Sequence, residues 1–215
     1  MIAVIGGTGS LGKGIAGRLA DAGHEVIVGS RDEGKAKKSA SAISEMIDGN
    51  IEGCENLEAV SKATLVVLSV PYSAIDSIIE RIDPGLEPGN VLVSVIVPLT
   101  RGEDGFKVLE TDYNSVAEEI KDKSSEEVSV VSGFQVVPAS MMADFDNEVD
   151  SDVPIASDDE DAKARVKELI EDIPGARAID AGSLSSSGMI ESMATLFVEL
   201  TRIHGNEVSL RFCGI

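Results

Sequence analysis

Three glycines, a hydroxyl group and two cations near the N-terminus have the types and the spacing to hold a phosphorylated cofactor. Residues 2–31 read IAVIGGTGSLGKGIAGRLADAGHEVIVGSR, so an apolar strand runs into Gly7-x-Gly9-x-x-Gly12 and a helical pattern follows at once. Glycines at this spacing make the strand-to-helix turn, let the backbone approach a pyrophosphate and let the helix pack on the strand. Thr8, Ser10 and Leu11 lie among them, where free N–H groups at the positive end of a helix dipole receive an anion. The end of the second strand selects between dinucleotides. NAD sites place a carboxylate there for the ribose 2′-hydroxyl, whereas this chain has Ser30-Arg31, with Lys35 a turn further on. A hydroxyl, a planar guanidinium and an ammonium suit a 2′-phosphate dianion that a carboxylate would repel. NADP(H) is therefore expected rather than NAD(H), with Asp32 and Glu33 keeping the positive patch narrow.

These groups need elements to hold them. Leu11, Ile15, Leu19 and Ala22 recur at helical spacing, Gly23 closes that helix, and Glu25 to Val28 starts a second buried strand. The pattern then predicts a helix over 33–47, a short strand at 51–53, a helix from Asn56 and a buried strand over 63–71. A helix over 72–82 follows, with Ile75, Ile78, Ile79 and Ile82 on one side, and then a strand over 90–97 and a loop over 99–114. Ser115-x-x-Glu118 is a capping box that opens a helix over 116–121. The remainder reads as a strand over 128–134, strands at 153–156 and 178–180 around a helix over 159–173, and a last helix over 185–204. Alternating strands and helices predict an α/β fold: a Rossmann-like, doubly wound, mostly parallel sheet. The expected division is a dinucleotide-binding domain over 1–140 and a smaller C-terminal α/β substrate region over 141–215. Val70-Pro71, Val97-Pro98 and Val137-Pro138 fall at carboxyl ends of strands, the edge at which open α/β sheets bind ligands.

Charge narrows the partners. With 38 acidic and 18 basic residues the formal net charge is −20, a poor surface for nucleic acid or anionic membranes. The acids concentrate between Asp144 and Asp172. They read either as a halophilic surface, whose self-repulsion disappears at a Debye length of about 3 Å in 1 M salt, or as a plain soluble face; the first is preferred. No apolar run reaches the roughly 18 residues of a membrane span, and the first strand starts at Ile2, so no signal peptide is expected. Cys54 and Cys213 lack metal-like or redox spacing, which suits free thiols in a reducing cytoplasm. His24 and His204 are the only histidines, and neither a catalytic dyad nor a metal site is indicated. The last helix carries Met189, Ile190, Met193, Leu196, Phe197 and Leu200, which form either a homodimer face or packing against the core.

Taken together, these stretches resemble the F420-dependent NADP reductases over nearly the whole chain. The resemblance starts at Gly6-Gly7-Thr8-Gly9-Ser10-Leu11-Gly12-Lys13-Gly14, Val28-Gly29-Ser30-Arg31 and Lys35, a segment that several NADP-binding families share. Ser69-Val70-Pro71, Val97-Pro98, Val137-Pro138-Ala139, Asp152-Val153-Pro154 and Asp180-Ala181-Gly182, with Leu184-Ser185 before the last helix, are more specific. The resemblance implies reversible hydride transfer between NADP(H) and the deazaflavin coenzyme F420, with nicotinamide C4 facing deazaflavin C5. Both partners carry their own reactive centres, so the protein binds and aligns them and needs no acid or base for the hydride. It also implies that Thr8, Gly9, Ser10 and Leu11 cradle the pyrophosphate, while Ser30, Arg31 and Lys35 take the 2′-phosphate. Ser69, Val70, Ile96 and Val97 would flank the path from adenosine to nicotinamide, with Val137 and Ala139 near both rings. Gln135 is a candidate contact in the same region but stands where the family pattern has histidine. Tyr72 and Ser183 stand in place of tryptophan and proline. These departures fall on the deazaflavin side, so an NADPH-dependent reductase of another acceptor, such as an imine or a flavin, and a non-catalytic NADP-binding sensor remain as alternatives.

Overall fold

Runs of Val, Ile, Leu and Ala too short to form helices build the centre of the molecule, as seen in a computed structural model that describes residues 1–102 and 105–215. The first five strands are β1 (Ile2–Ile5), β2 (Val26–Ser30), β3 (Ile51–Glu55), β4 (Leu65–Leu68) and β5 (Val91–Ser94). A hairpin, β6 (Leu99–Gly102) and β7 (Gly105–Val108), precedes β8 (Ser129–Ser132), and β9 (Ser151–Ile155) and β10 (Ala176–Asp180) come last. Six strands form one parallel sheet in the order β3-β2-β1-β4-β5-β8. This is the doubly wound order, with its reversal between β1 and β4.

Alternation along β1 sorts the core into two layers. Ile2 and Val4 face a cluster with Ile15 and Leu19 of α1 (Ser10–Asp21) and Ile43 of α2 (Glu33–Ser44). Ala3 and Ile5 face the other cluster, with Val60 of α3 (Asn56–Lys62), Ile75 and Ile79 of α4 (Ile75–Ile82) and Ile120 of α5 (Val116–Lys123). The period of two in a strand sends successive side chains to opposite faces, so each face acquires its own helices. The capping box at α5 forms in half: Ser115 Oγ accepts the Glu118 N–H at 3.1 Å, while the Glu118 carboxylate accepts the Ser115 hydroxyl at 3.2 Å rather than its backbone N–H.

Residues beyond β8 add further elements: α6 (Ala139–Ala143), α7 (Glu160–Glu171), the parallel pair β9–β10 and the long α8 (Ser187–His204). Val166 and Ile170 of α7 belong to the same apolar cluster as Val4 and Ile15, so the two parts share one hydrophobic layer. Two polar ties complete the join. Arg18 of α1 is buried and donates to the carbonyl oxygens of Met142 (3.2 Å), Met141 (3.1 Å), Asn147 (2.8 Å) and Asp144. Its guanidinium also lies over the Phe145 ring. Asp152 of β9 is fully buried and pairs with Arg177 (2.6 Å) and Arg211 (2.9 Å) while accepting the Phe212 N–H at 2.6 Å. The hydrogen bond from Arg177 leads the effects that hold its carboxyl well below the usual carboxylate range, and the tail beyond α8 is pinned to the β9–β10 pair.

Two expectations need correction. The segment 99–114, read as a loop, contains the β6–β7 hairpin; Glu103 and Asp104 lie outside the described residues. Phe106 and Val108 are exposed, so burial periodicity gives no strand signal there; Asp104-Gly105 is a hairpin dipeptide in the sequence. The strands expected over 63–71, 90–97 and 128–134 contract to Leu65–Leu68, Val91–Ser94 and Ser129–Ser132. Residues such as Val95 and Ile96 are buried outside the ladder, and burial was the signal read as strand. Among the described residues no helix is long and apolar enough to cross a membrane.

Candidate functional site

The turn after β1 opens one end of a pocket of about 400 Å³ lined by Gly6, Thr8, Gly9, Ser30, Arg31, Lys35, Ser69 and Val70, among others. Gly6 makes the turn, one residue before the motif glycine expected to do so. Its φ is +80°, and a Cβ there would lie 2.2 Å from the Ser69 carbonyl oxygen. Gly12 packs the start of α1 against the turn, where a Cβ would sit 2.7 Å from the Gly6 oxygen. The N-cap of α1 is Gly9, with no side-chain cap and no acid in the first turn. The next two helices differ: Asp32 caps α2 by accepting the Lys35 N–H (3.1 Å), and Glu55 caps α3 by accepting the Leu57 N–H (2.9 Å). The N–H groups that head α1 are left for an external anion.

Electrostatics in this pocket favour a phosphate despite the acidic chain. Arg31 and Lys35 are exposed and have no ion-pair partner among the described residues. The nearby acids are engaged elsewhere, Asp32 in its cap and Glu33 with Lys37 at 2.6 Å. The opposite wall comes from α4, through Ala74 before its first turn and then Ser77, Ile78 and Arg81. Asn56, buried at the start of α3, also lines the pocket, and its Oδ1 has no partner. Sequence reasoning missed Gly6, Asn56 and the α4 wall. The i,i+4 pair Ser77 and Arg81 was the available signal.

A second, mostly apolar cavity of about 880 Å³ lies between the hairpin, the segment after β8, α8 and the tail. Leu99 and Phe106 line it from the hairpin, and Phe197 and Val208 from α8 and the tail. Gln135, Val137 and Ala139 line it from the segment after β8. That segment begins at Phe134, a buried residue at φ +71°, a backbone conformation that costs a non-glycine residue on the order of 1–3 kcal/mol. Gln135 is buried and clamped, its Nε2 donating to Ser94 O and Ser132 Oγ, both at 2.8 Å, while its Oε1 has no partner. Glu191 fixes the far wall by accepting N–H groups of Val116 (2.9 Å) and Ala117 (3.3 Å), which ties α8 to the head of α5. Burial pushes the Glu191 carboxyl up to about 7, against the opposing effect of those N–H groups.

Ala139 also borders a smaller pocket containing Ser10 and Lys13 at the head of α1, so the uncapped helix end and the apolar cavity adjoin. Gly7, Leu11 and Gly12 support the turn and line neither main cavity. Ile96 is buried in the second core layer, and Val97 packs beside Val136 and Ile190. No cluster of three or more His, Cys, Asp or Glu among the described residues could hold a metal ion. The arrangement offers a phosphate-binding half and a half that can cover a flat apolar ring.

Known proteins resemble this chain in sequence and fold. The family profile described as "NADP oxidoreductase coenzyme F420-dependent" matches residues 1–98. An F420-dependent NADP reductase of Methanocaldococcus jannaschii is 38% identical over 206 residues, covering 93% of this chain and 91% of the relative. That of Methanothermobacter marburgensis is 37% identical over 208 residues, again covering 93% and 91%. The chain belongs to the F420-dependent NADP reductases. A solved structure from Arthrobacter sp. FB24, provisionally described as an F420-dependent NADP reductase, superposes with a TM-score of 0.79 at 25% identity, covering 98% of this chain and 99% of that one. An imine reductase from Bacillus cereus matches with a TM-score of 0.64 at 21% identity, over 95% of this chain and 62% of its own, a likeness of fold alone. Of the three departures from the F420-dependent NADP reductase pattern, only Gln135 lines the second cavity. Tyr72 packs part-buried against the second core layer, and Ser183 is exposed with its hydroxyl 2.8 Å from that of Ser185.

Proposed function

We propose that the protein transfers hydride reversibly between NADP(H) and coenzyme F420. The observation that carries the reading is the adjacency, at Ala139, of a phosphate-adapted helix end and a large apolar cavity, on a chain similar to F420-dependent NADP reductases over 93% of its length. The two coenzymes supply the redox chemistry, hydride passing between nicotinamide C4 and deazaflavin C5. The chain's own residues bind, orient and exclude water. Thr8, Gly9, Ser10 and Leu11 offer backbone N–H groups to the pyrophosphate, with Gly7 and Gly12 shaping the turn. Ser30, Arg31 and Lys35 take the 2′-phosphate, and Ser69 and Val70 line the path from it. Gln135, Val137 and Ala139 bound the ring-stacking region, with Ile96 and Val97 supporting it from behind, and residues 141–215 complete the deazaflavin side. No side chain is required to move a proton.

The acidic surface is read as an adaptation to concentrated salt, and the protein as a cytoplasmic enzyme with free thiols. The exposed Met189, Leu196 and Ile203 of α8 support a homodimer. The test is direct. NADPH added with the protein in concentrated salt should bleach the visible absorbance of oxidised F420, and NADP with reduced F420 should restore it. If F420 is unchanged while NADPH is consumed by a cyclic imine or a free flavin, the assignment of the second substrate fails. If NADPH binds without turnover of any acceptor, the protein is a sensor.

A further inference from the structure

We infer that Arg81 is a third cation of the 2′-phosphate subsite and a determinant of NADP over NAD, an inference that rests on the NADP reading above. Arg81 projects from the last turn of α4 and lines the same pocket as Ser30, Arg31 and Lys35, from the opposite wall. Its one ion pair among the described residues is loose: Nη1 lies 3.4 Å from Glu55 Oε1, and its side chain is 49% exposed. Glu55 is occupied on its other oxygen, Oε2 accepting the Leu57 N–H at 2.9 Å to cap α3.

The position of Glu55 gives this pair its meaning. In the parallel register of β2 and β3, Glu55 stands beside Ser30, the residue at the end of β2. A carboxylate at the tip of β2 is what NAD sites use to exclude a 2′-phosphate; here one stands a strand over, at the tip of β3. Left bare, that charge would oppose the phosphate that Arg31 and Lys35 attract. Arg81 neutralises it, and its remaining guanidinium N–H groups are free to reach into the pocket. A guanidinium has donors for two acceptors, so Arg81 keeps Glu55 on Nη1 and offers its other N–H groups to the dianionic phosphate when the pocket fills. The chain thereby gathers three cations around one anion subsite although its net charge is −20. Recognition by contact rather than by long-range attraction is what such a surface requires.

The experiment is calorimetric titration with adenosine 2′,5′-bisphosphate and, in parallel, with adenosine 5′-monophosphate, which lacks the 2′-phosphate. Wild-type protein is compared with R81Q and R81K in the same concentrated salt. R81Q should weaken the bisphosphate by about 10-fold, the scale of one charge-assisted hydrogen bond, and leave the monophosphate within about 2-fold. R81K should recover part of the loss. The KM for NADPH should rise in R81Q while the KM for F420 at saturating NADPH stays constant. Equal weakening of both nucleotides would make Arg81 a wall for the adenine ring, and unchanged binding of both would make it an ordinary surface charge; either result overturns the inference. If the wild-type protein ignores the bisphosphate, the NADP reading itself fails, and the inference falls with it. Unchanged thermal unfolding of R81Q separates each of these outcomes from loss of fold.

Discussion

The two halves of the site are built on different principles. The proposed phosphate half is local: Gly6 to Gly12, Ser30, Arg31 and Lys35 lie within thirty residues of sequence, and most would act through backbone N–H groups or formal charge. The ring half is assembled from the hairpin, the segment after β8, α8 and the tail, from Leu99 to Val208, and most of its lining is apolar. A phosphate demands donors at fixed short spacing, so evolution writes it as a motif. A flat ring demands only covered area, which any apolar side chain can supply from anywhere in the chain. Damage should therefore spread differently: through charge in the first half, through area and anchoring in the second.

Four substitutions test that contrast. Arg18 joins the halves, rooted in α1 and holding the carbonyls of Met141 and Met142 in α6 and of Asp144 and Asn147 after it. Arg18→Met should cost about 4 kcal/mol of stability, the scale of a broken buried charged network, and should raise the KM of both coenzymes. Urea unfolding measures the first effect; an unchanged midpoint would show the halves to be independent. Asp152→Asn should cost about 3 kcal/mol and act on the second half alone, since it frees Arg177, Arg211 and the tail that carries Val208. The folded Asp152 carboxyl lies below the usual range near 3.9, so its stabilisation is complete above that range and is lost as pH falls toward the folded value. Wild-type stability should consequently fall as pH drops below that range, while D152N, less stable at neutral pH, should lose that part of the pH dependence, so that the two proteins converge in acid.

Arg31→Ala acts on the first half. It should weaken NADP(H) by about 1.5–3 kcal/mol, the scale of hydrogen bonds to a charged group, with NADH much less affected. Calorimetry with both cofactors decides this, and equal losses would remove Arg31 from the 2′-phosphate. The smallest effect belongs to Phe106→Ser on the exposed hairpin. Losing its contribution to the apolar wall should cost about 1 kcal/mol in F420 binding, seen as a roughly 5-fold higher KM for F420 with the KM for NADPH unmoved. A rise in both would mean that the hairpin shapes the whole cleft.

Particular residues show how much of this could be read in advance. The isoleucines of α4 announced their layer, because burial on one side imposes a period that local sequence must obey. The hairpin did not announce itself, because Phe106 and Val108 face outward and no buried face enforces alternation. The glycine motif begins at Gly7, but the positive φ falls at Gly6, against Ser69 just after β4; nothing local in a Gly-Gly pair says which residue turns. Arg18, three-quarters of the way along α1, carries no local signal of its role, since its carbonyl partners lie more than 120 residues away.

The sequence alone determined the doubly wound sheet and the uncapped glycine turn that heads α1, and it carried the proposal of a 2′-phosphate subsite, because each depends on residues close together in the chain and on the hydrogen-bonding period of the backbone. Tertiary structure decided what faces those groups across the cleft. It brought Glu55 beside Ser30 and Arg81 into the same pocket, left one oxygen of Gln135 without a partner at the apolar cavity and buried Asp152 between two arginines. Such pairings join residues that are distant in sequence, and no local spacing encodes which distant side chain the packing of layers will deliver.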